Sequence, residues 1–296
     1  MRILVLGTGA GENYPSPWCM CKNCTYARVH GGKNIRGNSS ILINEDLMID
    51  LTENSVRTAS RLGVSLNSLE HLLITHRHSD HFSPNHLWAR SYPGRFDKLT
   101  TAEIEEKQGA PTVTPLRFLS IYGPQAVQEE IAAATELDAS LEQYHARFNA
   151  VAGETSFTAG AYHISTLTAR HGSFPGYTLN YIIRHGGKTL LYALDTGGYS
   201  AETWDFLAAH RFDCVFVEAT GGLMPRRGPE ERAGHMSLQS VREFIESLRK
   251  QQCVSGDTRI FLSHVSPHWT PPHDVLAPMM EKEGIEVAYD EQIIDL

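Results

Sequence analysis

The stretch THRHSDH, Thr75 to His81, directly follows the apolar run HLLI, His71 to Ile74. A short apolar run that breaks at once into polar residues reads as a strand passing into a loop. Side chains two apart on a strand end share a face, so His76 and His78 point the same way. Asp80 and His81 lie on the turn that follows. Four groups able to hold a metal thus fall within six residues. Imidazole and carboxylate together suit Zn²⁺, Fe²⁺ or Mn²⁺. The plain alternative is a solvated polar loop with chance histidines, and the density of donors at a strand end argues against it.

Around this stretch the chain alternates apolar runs with glycine-rich punctuation. Arg2–Leu6, Ser40–Ile43, Leu47–Asp50, Leu72–Thr75 and Phe118–Tyr122 read as strands, with short helices over Ser55–Leu62 and Gln125–Leu137. The second half repeats the rhythm with strands over Ala161–Leu167, Tyr177–Arg184, Thr189–Leu194, Phe212–Glu218 and Arg259–Leu262. Ser237 caps an amphipathic helix with Leu238, Val241, Phe244, Ile245 and Leu248 on one face, and Asp274–Glu283 is a last helix. This plan suits α/β architecture with two sheets packed face to face and helices outside. No linker is evident, so residues 1–296 read as one domain, with an insertion or enlarged loop region around 92–150.

The formal net charge is −8, which argues against a stable complex with nucleic acid held by bulk electrostatics. No stretch is long and apolar enough to span a membrane, and MRILVLGTGAG reads as a first strand, not a signal peptide. Of the five cysteines, three cluster in WCMCKNC, as Cys19, Cys21 and Cys24. That is no disulfide framework, and it favours a reducing, cytoplasmic setting. Three close thiols suggest a metal site short of one ligand. Cys214 and Cys253 read as core packing.

HxHxDH after a strand resembles the metallo-β-lactamase fold. The resemblance implies an αββα sandwich of two mixed β-sheets flanked by helices, with a two-metal site at one edge. It also implies three later ligands at strand ends, and the sequence offers His171 after STLTAR, Asp195 after TLLYAL and His264 after RIFLS. In the resembled pattern His76, His78 and His171 hold one divalent metal. Asp80, His81 and His264 hold the other, and Asp195 bridges both. Two such metals (Zn²⁺, Mn²⁺ or Fe²⁺) lower the pKa of a bridging water from about 15.7 toward about 7 and so supply hydroxide at neutral pH. Asp80 is expected to help place that nucleophile.

The segment GHMSLQS, Gly234 to Ser240, is similar to a histidine-helix pattern of the phosphodiesterase branch, which includes tRNA 3′-processing ribonucleases. There His235 would protonate the leaving oxygen or contact the phosphoryl group, and the helix start would offer N–H groups to an anion. Arg226, Arg227 and Arg232 precede it and either bind a second phosphate or line a solvated loop. The C-x-C-x-x-C segment resembles the phosphoribosyl 1,2-cyclic phosphate phosphodiesterases of the PhnP family, in which three cysteines and a later histidine hold a structural zinc. Cys19, Cys21 and Cys24 match the thiols. His268, four residues after His264, is the expected fourth ligand, with His273 as the lesser alternative. The family's members are often dimers, which implies a homodimer. The expected activity is dinuclear-metal hydrolysis of a small phosphodiester, of the cyclic ribose or nucleotide class. The alternatives are a tRNA 3′-processing-type ribonuclease or a non-phosphate hydrolase (lactamase- or thioesterase-like) of the same fold.

Overall fold

The computed structural model describes residues 1–90, 116–134, 137–172, 177–225 and 234–296. These residues build two seven-stranded mixed sheets. In the first, β1 (Arg2–Gly7), β2 (Ser40–Ile43) and β3 (Leu47–Ile49) run antiparallel. β4 (His71–Leu73), β5 (Leu119–Gly123) and β6 (Ala146–Ala150) then add in parallel. β14 (Ile293–Asp295) closes the other edge, antiparallel to β1. The second sheet has the same plan. β7 (Ser156–Ala159), β8 (Tyr162–Thr168), β9 (Leu179–His185) and β10 (Lys188–Ala193) are antiparallel. β11 (Cys214–Glu218), β12 (Arg259–Ser263) and β13 (Glu286–Val287) follow in parallel. The sandwich implied by the resemblance is therefore the observed fold.

Strand alternation sorts the apolar residues into layers. Leu190, Tyr192, Cys214 and Phe216 face inward and meet Ile41, Ile43, Ile49 and Leu73 of the first sheet. Leu191, Ala193, Val215 and Val217 face outward and are covered by α4 (Ala201–Leu207), α5 (Leu238–Lys250) and α6 (His273–Glu281). Leu42, Met48, Leu72 and Ile74 form the outer layer of the first sheet, beneath α2 (Glu53–Arg61) and α3 (Gln125–Ala133). The five apolar residues expected on one face of α5 are all buried, and Ser237 Oγ accepts from Ser240 N at 3.2 Å as its cap. α1 (Lys22–His30) carries the third cysteine of the cluster.

The enlarged region expected over 92–150 divides. Residues 119–150 supply β5, α3 and β6, and so belong to the first sheet rather than to an insertion. Residues 91–115 lie outside the described residues. No helix among the described residues is long and apolar enough to cross a membrane.

Candidate metal centre

Because β10, β11 and β12 are parallel and in register, their C-terminal ends finish side by side. Asp195, Glu218 and His264 therefore emerge together, opposite the loop after β4. Three site residues, Asp50, Asp195 and His264, take left-handed backbone with φ of 62°, 49° and 51°. Such turns cost an L-residue energy and concentrate where a side chain must be re-aimed. Here they fold strand ends back toward a common centre.

The sequence-predicted ligands converge. His76, His78 and His171 form one group with ligand atoms within 4.8 Å of one another, and Asp80, His81 and His264 form a second. Asp195 stands between them. Its Oδ2 is 2.5 Å from His81 Nε2 and 3.1 Å from His264 Nε2, and its Oδ1 is 3.9 Å from His171 Nδ1. Asp80 Oδ2 lies 3.5 Å from His81 Nε2 and 3.8 Å from His264 Nε2.

The partners behind each ring decide which nitrogen faces inward. His81 Nδ1 donates to Asp50 Oδ2 at 2.6 Å, and His171 Nδ1 donates to the Gly234 carbonyl at 3.0 Å. Thr220 Oγ1 donates to the His264 carbonyl, so it accepts from His264 Nδ1, both at 2.8 Å. Thr75 Oγ1 lies 3.1 Å from His76 Nδ1 and donates to Asp50. Each of these four rings is left with Nε2 free. Those bare nitrogens then face one another or a carboxylate: His81 Nε2 and His264 Nε2 are 3.1 Å apart, and His76 Nε2 and His78 Nδ1 are 2.9 Å apart. Asp195 Oδ2 is buried and accepts no hydrogen bond. Lone pairs converging at these distances are stable only around added positive charge, so the donor set fits divalent metal.

Without an ion, a proton takes the place a metal would hold: burial lowers the His81 pKa, but Asp195, Asp50 and Asp80 outweigh it and raise it well above the usual imidazole value. Burial pushes the Asp195 and Asp80 carboxyls up, yet the histidines around them hold both well below the usual carboxylate range. Burial and then the neighbouring His81 hold His76 well below the ordinary imidazole value, which keeps it neutral as a ligand must be. Gly234 permits the approach to His171. Its φ is +83°, and a Cβ there would sit 2.8 Å from His171 Nδ1.

Two residues escaped the sequence reading. Asp50 directly follows β3 and holds both Thr75 and His81. Glu218 ends β11, is fully buried, and accepts from Thr196 N at 2.6 Å and Met236 N at 3.2 Å. It also holds His235 Nδ1, at 3.1 Å from Oε2. The carboxylate that closes the apolar run CVFVE was the available signal. Burial depresses the His235 pKa, but Glu218, Asp195 and Asp80 outweigh it and push it up to about 9. His235 Nδ1 is 3.5 Å from Asp195 Oδ1, so the ring borders the metal groups. The N–H groups at the start of α5 are already taken: Met236 N by Glu218, Leu238 N by the Gly222 carbonyl, Ser240 N by Ser237. These three are not open to an anion. Arg226, Arg227 and Arg232 lie outside the described residues.

Cys19, Cys21 and Cys24 are unoxidised, with sulfurs within 4.8 Å of one another. Their loop is tied to the one after His264, since Asn23 Nδ2 donates to the Pro267 carbonyl at 2.9 Å. His268 lies in that same loop, with Nδ1 3.1 Å from Glu12 Oε1. His273 does not join the thiols. It starts α6, where its Nδ1 accepts from Arg36 at 2.9 Å and its ring packs against Tyr289. Burial, then the Arg36 and Lys33 charges, lower its pKa to about 4 against a weaker opposing pull from Asp274. The unfolded chain takes up this proton near pH 6.5 and the folded one only near 4, so stability falls as pH drops through that window. His273→Asn keeps an acceptor for Arg36 and removes the titration. Denaturant unfolding at several pH values is expected to show a slope shallower by up to about 1.4 kcal/mol per pH unit.

A family model described as "Beta-lactamase superfamily domain" matches residues 46–256. The chain is similar to an octanoyltransferase of Porphyromonas gingivalis, at 24% identity over 304 residues, covering 99% of this chain and 52% of that protein. The chain thus spans about half the length of the curated relative it matches. Among solved structures, a diphosphatase from the PhnP family superposes with a TM-score of 0.71 at 17% identity, covering 99% of this chain and 97% of that one. Zn²⁺-bound PqqB from Methylobacterium extorquens gives 0.70 at 15%, with both chains fully covered. The human short-form tRNase Z gives 0.61 at 18%, covering 100% and 99%. At these identities the structural likeness is one of fold. Together with the family match over most of its length, it leads to one conclusion: the chain belongs to the beta-lactamase superfamily.

Proposed function

We propose that the protein is a dinuclear-metal phosphodiesterase acting on a small phosphodiester. The observation that carries this reading is the buried Glu218 carboxylate holding His235 beside Asp195. In this reading His76, His78 and His171 would hold one metal and Asp80, His81 and His264 the other, with Asp195 available to both. Such ions supply Lewis acidity at phosphoryl oxygens and water of lowered pKa. The chain's own residues do the rest. Asp80 helps place the attacking water; its carboxyl is held too low to keep the proton, which passes to solvent. His235, kept protonated by Glu218, has Nδ1 committed and Nε2 free to donate to the departing ester oxygen. Hydrolysis of a diester needs such an acid because an alkoxide leaves poorly. Five free thiols suit the cytoplasmic setting expected from the sequence.

The purified protein, loaded with Mn²⁺ or Zn²⁺, is expected to hydrolyse bis(p-nitrophenyl) phosphate to the monoester and to stop when chelated. Inactivity with every divalent metal tried overturns the reading. A second reading, an acyl hydrolase, is favoured by one finding: the relative of similar sequence is named an octanoyltransferase. An octanoyl thioester assayed alongside separates the two.

In the same proposal the three cysteines hold a structural zinc that His268 completes by turning from Glu12. Cys21→Ser is expected to lower metal content by about one per chain and to reduce Tm, while folded molecules keep their turnover. Unchanged metal content on elemental analysis would remove the structural site from the account.

A further inference from the structure

A cleft of about 710 Å³ has the Asn13–Pro15 loop as one wall, and none of its lining residues belongs to the metal groups. The Gly32–Gly37 turn, α2 and the Tyr289–Glu291 loop form its other walls. The chain as a whole is acidic, yet this cleft is lined by Lys33, Arg36, Arg57 and Arg61 against Asp290 and Glu291. Arg61 is paired with Glu291. Arg36 is buried in the floor and reaches Asp290 through Thr8, whose Oγ1 accepts from Arg36 at 2.7 Å and donates to Asp290 Oδ1 at 2.6 Å. Arg36 Nε has no hydrogen-bond partner.

Two cations remain uncompensated. Arg57 forms no ion pair among the described residues, and Lys33 Nζ stands 4.0 Å over the Tyr289 ring without an acidic partner. They come from different walls, one on α2 and one on the Gly32–Gly37 turn. Asn13 Oδ1 accepts from Asn54 Nδ2 at 2.9 Å, which leaves the Asn13 amide N–H groups as further donors at the rim. Lys33 covers the Tyr289 face, so the cleft offers charge and amide donors rather than a stacking surface.

The cleft is tied to the metal groups without being part of them. Asn54 Nδ2 also reaches Asn38, and Asn38 Nδ2 donates to the Gly11 carbonyl at 3.3 Å. A Cβ on Gly11 would lie 3.1 Å from Asp80 Oδ2. α2 itself starts three residues after Asp50, the residue that holds His81. With a rise of about 1.5 Å per residue, Arg57 and Arg61 lie roughly 4.5 and 10 Å along the helix from Asn54.

We propose that this cleft is a second anion site, separate from the metal centre, which takes the phosphate groups of a small phosphorylated ligand between Lys33 and Arg57. Two cations and amide donors from different segments of the lining match a dianion, and guanidinium suits phosphate geometry. The site does not depend on the phosphodiesterase reading.

Calorimetric titration with inorganic pyrophosphate tests this in three forms of the full chain: wild type, Asp195→Asn to disable the centre, and Asp195→Asn with Lys33→Glu and Arg57→Glu. His78→Ala serves as the centre variant if Asp195→Asn does not fold. Binding is expected to persist when the centre is disabled and to weaken at least about tenfold when the two cations are reversed. Lys33→Glu/Arg57→Glu with the centre intact is expected to hydrolyse bis(p-nitrophenyl) phosphate within about twofold of wild type, if that substrate is turned over at all. No binding to the centre variant, or equal affinity with and without the charge reversals, overturns the proposal. Because the titration needs no turnover, its outcome is independent of whether the phosphodiesterase reading stands.

Discussion

If the centre holds the two metals proposed above, Asp195→Asn is expected to abolish turnover and release both. Asp195 lies within reach of His81, His264 and His171, so it is shared by the two donor groups. An amide has no negative charge to offset two cations and presents a single carbonyl oxygen. Without the metals the water pKa returns from about 7 to about 15.7, and the supply of nucleophile at neutral pH collapses. A loss of at least about 10³-fold in kcat is expected, with elemental analysis showing about two fewer metals per chain. Retention of both metals with near-normal turnover would mean that Asp195 is not the bridge.

His235→Ala is expected to act differently, because the ligand sets proposed above do not include it. Loss of a positioned general acid costs about 10²–10⁴-fold on diesters with poor alkoxide leaving groups. It costs far less with p-nitrophenolate, which departs without a proton. A flat loss across leaving groups, with unchanged metal content, would assign His235 to phosphoryl binding instead. Glu218→Gln tests the other half of the pair. Glu218 is the largest influence raising the His235 pKa, which reaches about 9. Removing that charge lets the ring lose its proton at lower pH. The alkaline limb of the pH–rate profile is expected to move down by roughly one to two pH units. Glu218 also accepts from Thr196 N, Met236 N and Thr220 N, and an amide in its place sets donor against donor. A stability loss of about 1–3 kcal/mol is therefore expected in Glu218→Gln and not in His235→Ala.

Much of this site was legible from local sequence because each ligand follows an apolar run. The end of a buried strand in an α/β sandwich is where side chains leave the core, so HLLI before His76, TLLYAL before Asp195 and RIFLS before His264 marked positions as well as identities. Glu218 has the same context, but a lone carboxylate at a strand end carries no spacing signal. Its role depends on the register of β10, β11 and β12 and on His235 arriving from a later segment. Asp50 was read only as the end of a strand for a similar reason, since the ring it orients lies 31 residues away. The strands missed were the four sheet edges, Ala146–Ala150, Ser156–Ala159, Glu286–Val287 and Ile293–Asp295, because they lack the continuous apolar run that marked central strands as short as Leu47–Ile49. The histidine near the thiols shows the converse. His273 sits close in sequence to His268, but one helix start later it is committed to Arg36.

The account's central claim is that this centre works on phosphorus. The most direct measurement is kcat/KM for bis(p-nitrophenyl) phosphate and for an octanoyl thioester, on one metal-loaded preparation of the wild-type chain. The account predicts that the phosphodiester is turned over and the thioester is not. Thioester hydrolysis with an inert phosphodiester would contradict it.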